Sequence, residues 1–416
     1  MVVVGGGVAG LRCVEGLRRE GSTSSITLVH EERMLPYERP PLSKKVLTGE
    51  RSVESLEYQS PDYFQSLQVD LVQGPALALD LESKSVLVGP RSYRYDDLVI
   101  CTGAASRRLP TTVVSPTLPG VFYLRTADDA SRLAEALPRA RSVIVVGAGF
   151  VGSEVASSAR AMGAPVTVIE VAPIPLARVL GAEMAAECAQ LHRRNGTTLM
   201  CGHVVTGIRG DGGVEFVELA DGTLLPADLV VVGIGAEANV EWLVGSGLPI
   251  GDGVLCDDRL QASADGVHAI GDVASWADPT TGLRQRFEQW TVAIEQAKYV
   301  ARQIVNPSRS ESFTTSNYFW SEQYGVNMQF VGSTLPGDAT SVWAARGEGR
   351  LFALYRSRER LTAAFAIDAP RDLMRAKGLI ESGVGWDAAM EAFPGHHFDE
   401  VAARSTCETS GSRSQL

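Results

Sequence analysis

No two of the six cysteines (Cys13, Cys101, Cys188, Cys201, Cys256 and Cys407) stand in a CxxC or CxxxxC spacing. That excludes a redox-active dithiol built from sequence neighbours, and the thiols read as packing or surface residues. The six histidines, at 30, 192, 203, 268, 396 and 397, share no ligand spacing with the cysteines, so no metal site is expected. No apolar run approaches the roughly 18 residues that span a bilayer, and the N-terminus lacks the flanks of a secretory signal. A cytoplasmic protein with no membrane insertion is expected. Dense basic tracts are also missing, and with a formal net charge of −11 nucleic acid is excluded as a general partner.

What remains is ample material for a core. The 416 residues are 45% hydrophobic and 21% charged, which fits a globular chain of two or three domains. The first signal comes at once, in MVVVGGGVAG. The apolar run Val2 to Val4 ends at Gly5-Gly6-Gly7-Val8-Ala9-Gly10, after which Leu11, Val14 and Leu17 recur at helical spacing. This is strand, tight turn, helix. Gly5 allows the turn, Gly7 lets backbone approach a pyrophosphate, and Gly10 lets helix and strand pack closely. A second strand, Ile26 to Val29, leads to Glu31, placed to accept a hydrogen bond from a ribose hydroxyl.

The pattern recurs in SVIVVGAGFVGSEVASSARAMGAPVTVIE. Strand Val143 to Val146 precedes Gly147, Gly149 and Gly152, and strand Val166 to Ile169 ends at Glu170. Two such fingerprints imply two nucleotide sites in one enzyme. Glu170 follows Gly152 by 18 residues, where a carboxylate binds ribose hydroxyls and repels a 2′-phosphate, so NADH is expected over NADPH.

Around these signals the expected fold is α/β: two Rossmann-like dinucleotide-binding domains, the second inserted in the first, plus a C-terminal α+β domain. The expected boundaries are 1–112 and 235–310 for the first nucleotide domain, 113–234 for the second, and 311–400 for the third. A meander is expected from Leu77 to Val88, a turn at Thr102-Gly103, and a helix over 183–195. The segment GVHAIGDVASW is expected to deliver Gly271-Asp272 at the start of a helix, with a further helix over Thr291 to Val305. The small, polar residues 401–416 are expected to be disordered.

In this order, GGGVAG, LPYERPPLSK, GAGFVGSEVA, HAIGDVA, AIEQA (293–297) and YFWSEQYG (318–325) make the chain resemble the flavoprotein ferredoxin reductases of the oxygenase-coupled type. The PPLSK loop and the FWSEQYG segment are the specific ones, because disulfide reductases carry neither. The resemblance implies FAD on the first fingerprint (Gly5, Gly7, Ala9, Gly10), with its ribose on Glu31 and Leu77 by the adenine. It further implies Lys44 near the isoalloxazine, Arg125 near the pyrophosphate, Asp272 with Gly271 at the ribityl chain, and Trp290 by the ring. Thr102 and Gly103 would bring backbone close to FAD. NADH would sit on Gly147, Gly149, Gly152 and Glu170. His30 stands where a small residue is usual before the acid.

Several side chains keep two readings. Lys44 is either a solvated loop charge or a cation that stabilises anionic reduced flavin, paired with Glu154. Trp320 either packs the third domain or shields the flavin edge. Arg39 is loop scaffold or a surface arginine. The implied reaction is hydride transfer from NADH to FAD, then single-electron transfer to a ferredoxin that feeds a cytochrome P450 or Rieske oxygenase, by a monomer or weak dimer. An NADH oxidase and a flavin- and NADH-binding sensor of the apoptosis-inducing-factor type stay open as alternatives. Candidate docking cations are Arg356, Arg358 and Arg360, and Arg371, Arg375 and Lys377.

Overall fold

The computed structural model describes residues 1–279, 282–308, 311–334, 340–347 and 350–401. Residues 402–416, most of the tail expected to be disordered, lie outside the described residues, as does Cys407. The chain divides into two compact units. One comprises Met1–Pro41, Arg51–Ser106 and Ala236–Phe319; the other comprises Leu42–Glu50, Arg107–Gly235 and Trp320–Leu416.

In the first unit Val2–Val4 is buried on both faces, as a three-residue β-branched run in the middle of a parallel sheet must be. Strand order in that sheet is 267–269, 98–100, 2–4, 26–30, 69–73. The chain therefore leaves after Ile100 and returns at Val267 to pair in parallel beside Leu98. Helix Val8–Arg19 lies so close to helix Trp290–Val305 that a Cβ on Gly16 would stand 2.8 Å from Cβ of Ala301. The meander is a three-stranded antiparallel sheet of Ala76–Asp80, Ser85–Val88 and Arg91–Arg94.

Gly271-Asp272 does not open a helix. Gly271–Val273 is one turn of 3-10 helix, followed at once by strand Ala274–Ala277. Parallel pairing of Val254 with Ala274 captures the backbone there, and the long helix starts only at Trp290.

The second unit repeats the parallel plan with strand order 198–201, 166–170, 143–146, 229–232, 121–123. The helix expected over 183–195 runs instead over Ala177–Arg194 and is interrupted at Gly181, whose φ of 74° is not helical. From Phe319 on, a six-stranded sheet forms in the order 319–323, 326–332, 360–367, 350–357, 340–347, 399–401. Its first hairpin turns at Tyr324 and Gly325, with φ of 53° and 78°, the two left-handed residues of a type I′ turn.

Candidate functional site

The two glycine turns have the same local geometry. The Gly5 N–H donates to the Val29 carbonyl at 2.8 Å, and the Gly147 N–H to the Ile169 carbonyl at 2.8 Å. Both glycines have positive φ, 136° and 100°. A Cβ on Gly10 would stand 2.0 Å from the Gly5 oxygen, and one on Gly152 would stand 2.1 Å from the Gly147 oxygen. Neither position admits a side chain. The middle glycines differ: a Cβ on Gly7 or Gly149 would meet nothing within 4 Å, because each caps its helix and faces open space. A bare backbone at a helix N-terminus facing open space fits a pyrophosphate, whose charge suits the unpaired N–H groups.

Further residues of the first unit gather at its turn. A Cβ on Gly271 would stand 3.2 Å from Cβ of Ala9, so the Gly271-Asp272 turn is packed against the first fingerprint. The Gly271 N–H is held at 2.7 Å by Gln296 Oε1, and the Asp272 carbonyl accepts from Arg286 at 3.0 Å. Thr102 Oγ1 donates to the Asn239 carbonyl and Asn239 Nδ2 donates back to the Thr102 carbonyl, at 2.8 and 2.9 Å, which fixes the Thr102-Gly103 turn. Glu31 is exposed just past strand Ile26–His30, and Leu77 is 50% exposed on the meander. Arg39 is tied to Glu32 at 2.5 Å and to the Tyr37 hydroxyl at 3.0 Å. Trp290 donates its indole N–H to the Tyr58 hydroxyl at 2.7 Å.

In the second unit Glu170 is locked into the glycine turn. Its Oε2 accepts from the Ala148 N–H at 2.7 Å and its Oε1 from the Ala172 N–H at 2.8 Å. Each oxygen keeps lone-pair capacity for a ribose hydroxyl. The Arg125 N–H donates to Asp129 at 3.2 Å, just before helix Ala127–Ala136. The structure brings Lys44 and Glu154 together as a buried ion pair, Nζ to Oε1 at 3.0 Å. Trp320 is half-buried in strand Phe319–Gln323. Among the docking cations, Arg356 binds Glu359 and lies over Trp386, Arg360 binds the Gly383 carbonyl, Arg375 lies over Phe393, and Lys377 binds Glu381.

Sequence reasoning singled out Glu154 on helix Phe150–Ala161 but missed the serines that share its polar face. Ser153, Glu154 and Ser158 are buried there, and with Ser157 they form an i, i+1, i+4, i+5 stripe in GSEVASS that helical periodicity could have revealed. Ser157 Oγ accepts the Tyr324 N–H at 2.6 Å. His192, buried nearby, lies 3.2 Å by Nε2 from Ser153 Oγ and 2.8 Å by Nδ1 from the Tyr324 hydroxyl. Burial lowers the His192 pKa to about 4 and raises that of Tyr324 to about 12, so both are neutral at pH 7.

Two parallel sheets, each with a glycine turn shaped for a pyrophosphate, define a protein built to hold two dinucleotides. The profile of the pyridine nucleotide-disulphide oxidoreductase family matches residues 1–297, and that of the reductase C-terminal domain matches 318–399. Rhodocoxin reductase of Rhodococcus erythropolis is 35% identical over 386 residues, 91% of this chain and 89% of that protein. The solved ferredoxin reductase for the CYP199A2 system of Rhodopseudomonas palustris is 32% identical with a TM-score of 0.88, covering 93% of this chain and 96% of that one. The covalent putidaredoxin reductase–putidaredoxin complex gives a TM-score of 0.89 at 29% identity, covering 94% and 96%. The chain belongs to the pyridine nucleotide-disulphide oxidoreductase family, in its ferredoxin reductase branch. It is an FAD- and pyridine-nucleotide-dependent oxidoreductase.

Proposed function

We propose that this chain takes electrons from NADH through FAD and hands them singly to a small iron–sulfur protein. One observation carries the reading: two glycine turns of matching geometry, one for the donor and one for the flavin, occur in a sequence with no neighbouring pair of thiols to take electrons from the flavin, so the acceptor docks from outside. FAD, when bound, accepts two electrons as hydride and releases them one at a time. Residues 1–112 and 235–310 are read as the flavin domain, with Gly5, Gly7, Ala9, Gly10, Glu31, Leu77, Thr102, Gly103, Gly271, Asp272 and Trp290 against the cofactor. Arg39 braces its loop through Glu32, and Arg125 is read as a pyrophosphate ligand. Residues 113–234 are read as the nicotinamide domain, with Glu170 the selector for NADH, and 311–400 as an interface module.

In this reading Lys44 supplies a fixed positive charge that favours the anionic reduced flavin, and Glu154 keeps that charge in place. Trp320 limits water. The reaction is read as cytoplasmic, because NADH is a cytoplasmic donor, and no helix among the described residues is long and apolar enough to cross a membrane. For the acceptor, the arginines of the interface module are a weaker choice than the first unit. There Arg12, Arg19 and Lys298 line an open cavity of about 420 Å³ together with Glu15, Glu295 and Trp290, and because Arg12 is paired with Glu15 at 2.7 Å the positive charge rests on Arg19 and Lys298. With the net charge at −11, an acidic acceptor needs such a local positive face to approach.

Steady-state assays of the FAD-loaded protein with a [2Fe–2S] ferredoxin, with ferricyanide, and with oxygen alone test this. Ferredoxin and ferricyanide should be reduced rapidly and oxygen slowly. NADH should exceed NADPH in kcat/KM by tenfold to a thousandfold, about 1.4 to 4 kcal/mol. R19E/K298E should slow ferredoxin reduction and spare ferricyanide, and the ferredoxin rate should fall with salt. Rapid oxygen consumption without an acceptor, or no reduction of any iron–sulfur protein, contradicts the proposal.

A further inference from the structure

Glu154 is the carboxylate of the second unit's polar face. It lies on helix Phe150–Ala161 with its side chain 7% exposed, and accepts from three donors. Ser43 Oγ stands 2.5 Å from Oε2, Ser321 Oγ 2.7 Å from Oε1, and Lys44 Nζ 3.0 Å from Oε1. Both serines are buried. A hydroxyl donates or accepts, but an ionised carboxylate only accepts, so both serine protons point at Glu154. The acceptor side of Ser321 is filled by Gln323 Nε2 at 3.0 Å. The backbone of Ser43 is pinned as well, because its carbonyl accepts from Ser158 Oγ at 2.8 Å.

A lysine ammonium is a point charge on a flexible stem and has no directional fork of its own. Its place is set by its counter-ion, and here the counter-ion's rotation is stopped by two hydroxyls that come from distant segments, PPLSK and FWSEQYG. We propose that Ser43 and Ser321 are positioning residues that clamp Glu154 and thereby fix the Lys44 ammonium where it tunes flavin reduction. This rests on the reading of Lys44 given above. Without one hydroxyl the carboxylate turns about its terminal torsion, the ammonium follows, and the negative charge of the reduced flavin loses a fixed partner.

The test uses the FAD-loaded full chain as wild type, S43A, S321A, S43A/S321A, S321T and K44M. Three quantities are read: the midpoint potential of the flavin, the rate of its reduction by NADH in a stopped-flow instrument, and the thermal midpoint. The expected result is a more negative potential and about tenfold slower reduction in S321A and S43A, with S321T restoring both because it keeps the hydroxyl. A purely structural role would move the thermal midpoint and leave the potential where it was. If K44M shifts potential and rate while the serine variants match wild type, the clamp is overturned and the reading of Lys44 stands. If K44M is also silent, both fall.

Discussion

Gly6 shows how a single residue can be dictated by a neighbour that lies far off in sequence. The turn needs Gly5 and Gly10 for its own geometry, and both were legible in the spacing. Gly6 is different: its φ is ordinary, yet a Cβ there would stand 2.5 Å from Cβ of His30. His30 is buried at the end of the second strand, its Nδ1 3.0 Å from the Glu32 carbonyl. Where a small residue would leave room, this chain places a histidine and accommodates it with a third glycine. G6A should cost about 1–3 kcal/mol by overpacking, and the cost should shrink in an H30G background. Thermal unfolding of the four proteins of that cycle measures it. An equal cost in both backgrounds would place the constraint elsewhere.

Among elements, helix Phe150–Ala161 gathers contacts from segments that no local pattern joins. Its partners Ser43, His192, Ser321 and Tyr324 come from 39 to 167 residues away in sequence. Periodicity reports a helix and its apolar stripe, so the helix was legible, and of its polar partners only Lys44 was. The same limit explains Gly271-Asp272, where pairing with residues 253–256 overrode the local helix signal. His192 gives this network a pH dependence. Its folded-state pKa, lowered to about 4 by burial, lies below the unfolded value of about 6.5. The unfolded chain therefore takes up a proton first as pH falls. Stability from neutral His192 is complete above about pH 6.5 and is lost towards pH 4, by at most about 3 kcal/mol. H192Q should flatten the fall of the calorimetric midpoint between about pH 7 and pH 5. An unchanged slope would show that His192 does not carry it.

For the whole molecule, two glycine turns make the class readable in the sequence, because each is local: strand, turn, helix, strand and acid within about 30 residues. The way the chain interleaves its segments was harder to see. Leu42–Glu50, which carries Lys44, belongs with the second compact unit although the sequence around it on both sides belongs with the first. A loop excursion of that kind leaves no periodic trace, and only Pro40-Pro41 marks its start. The central claim, a two-electron donor converted to single-electron output at one flavin, is tested most directly by an anaerobic titration of the purified protein. The account predicts a yellow protein with noncovalent FAD that is bleached by one equivalent of NADH and then recovers its colour with two equivalents of oxidised ferredoxin. Colour that NADH does not discharge, or that one-electron acceptors do not restore, would contradict it.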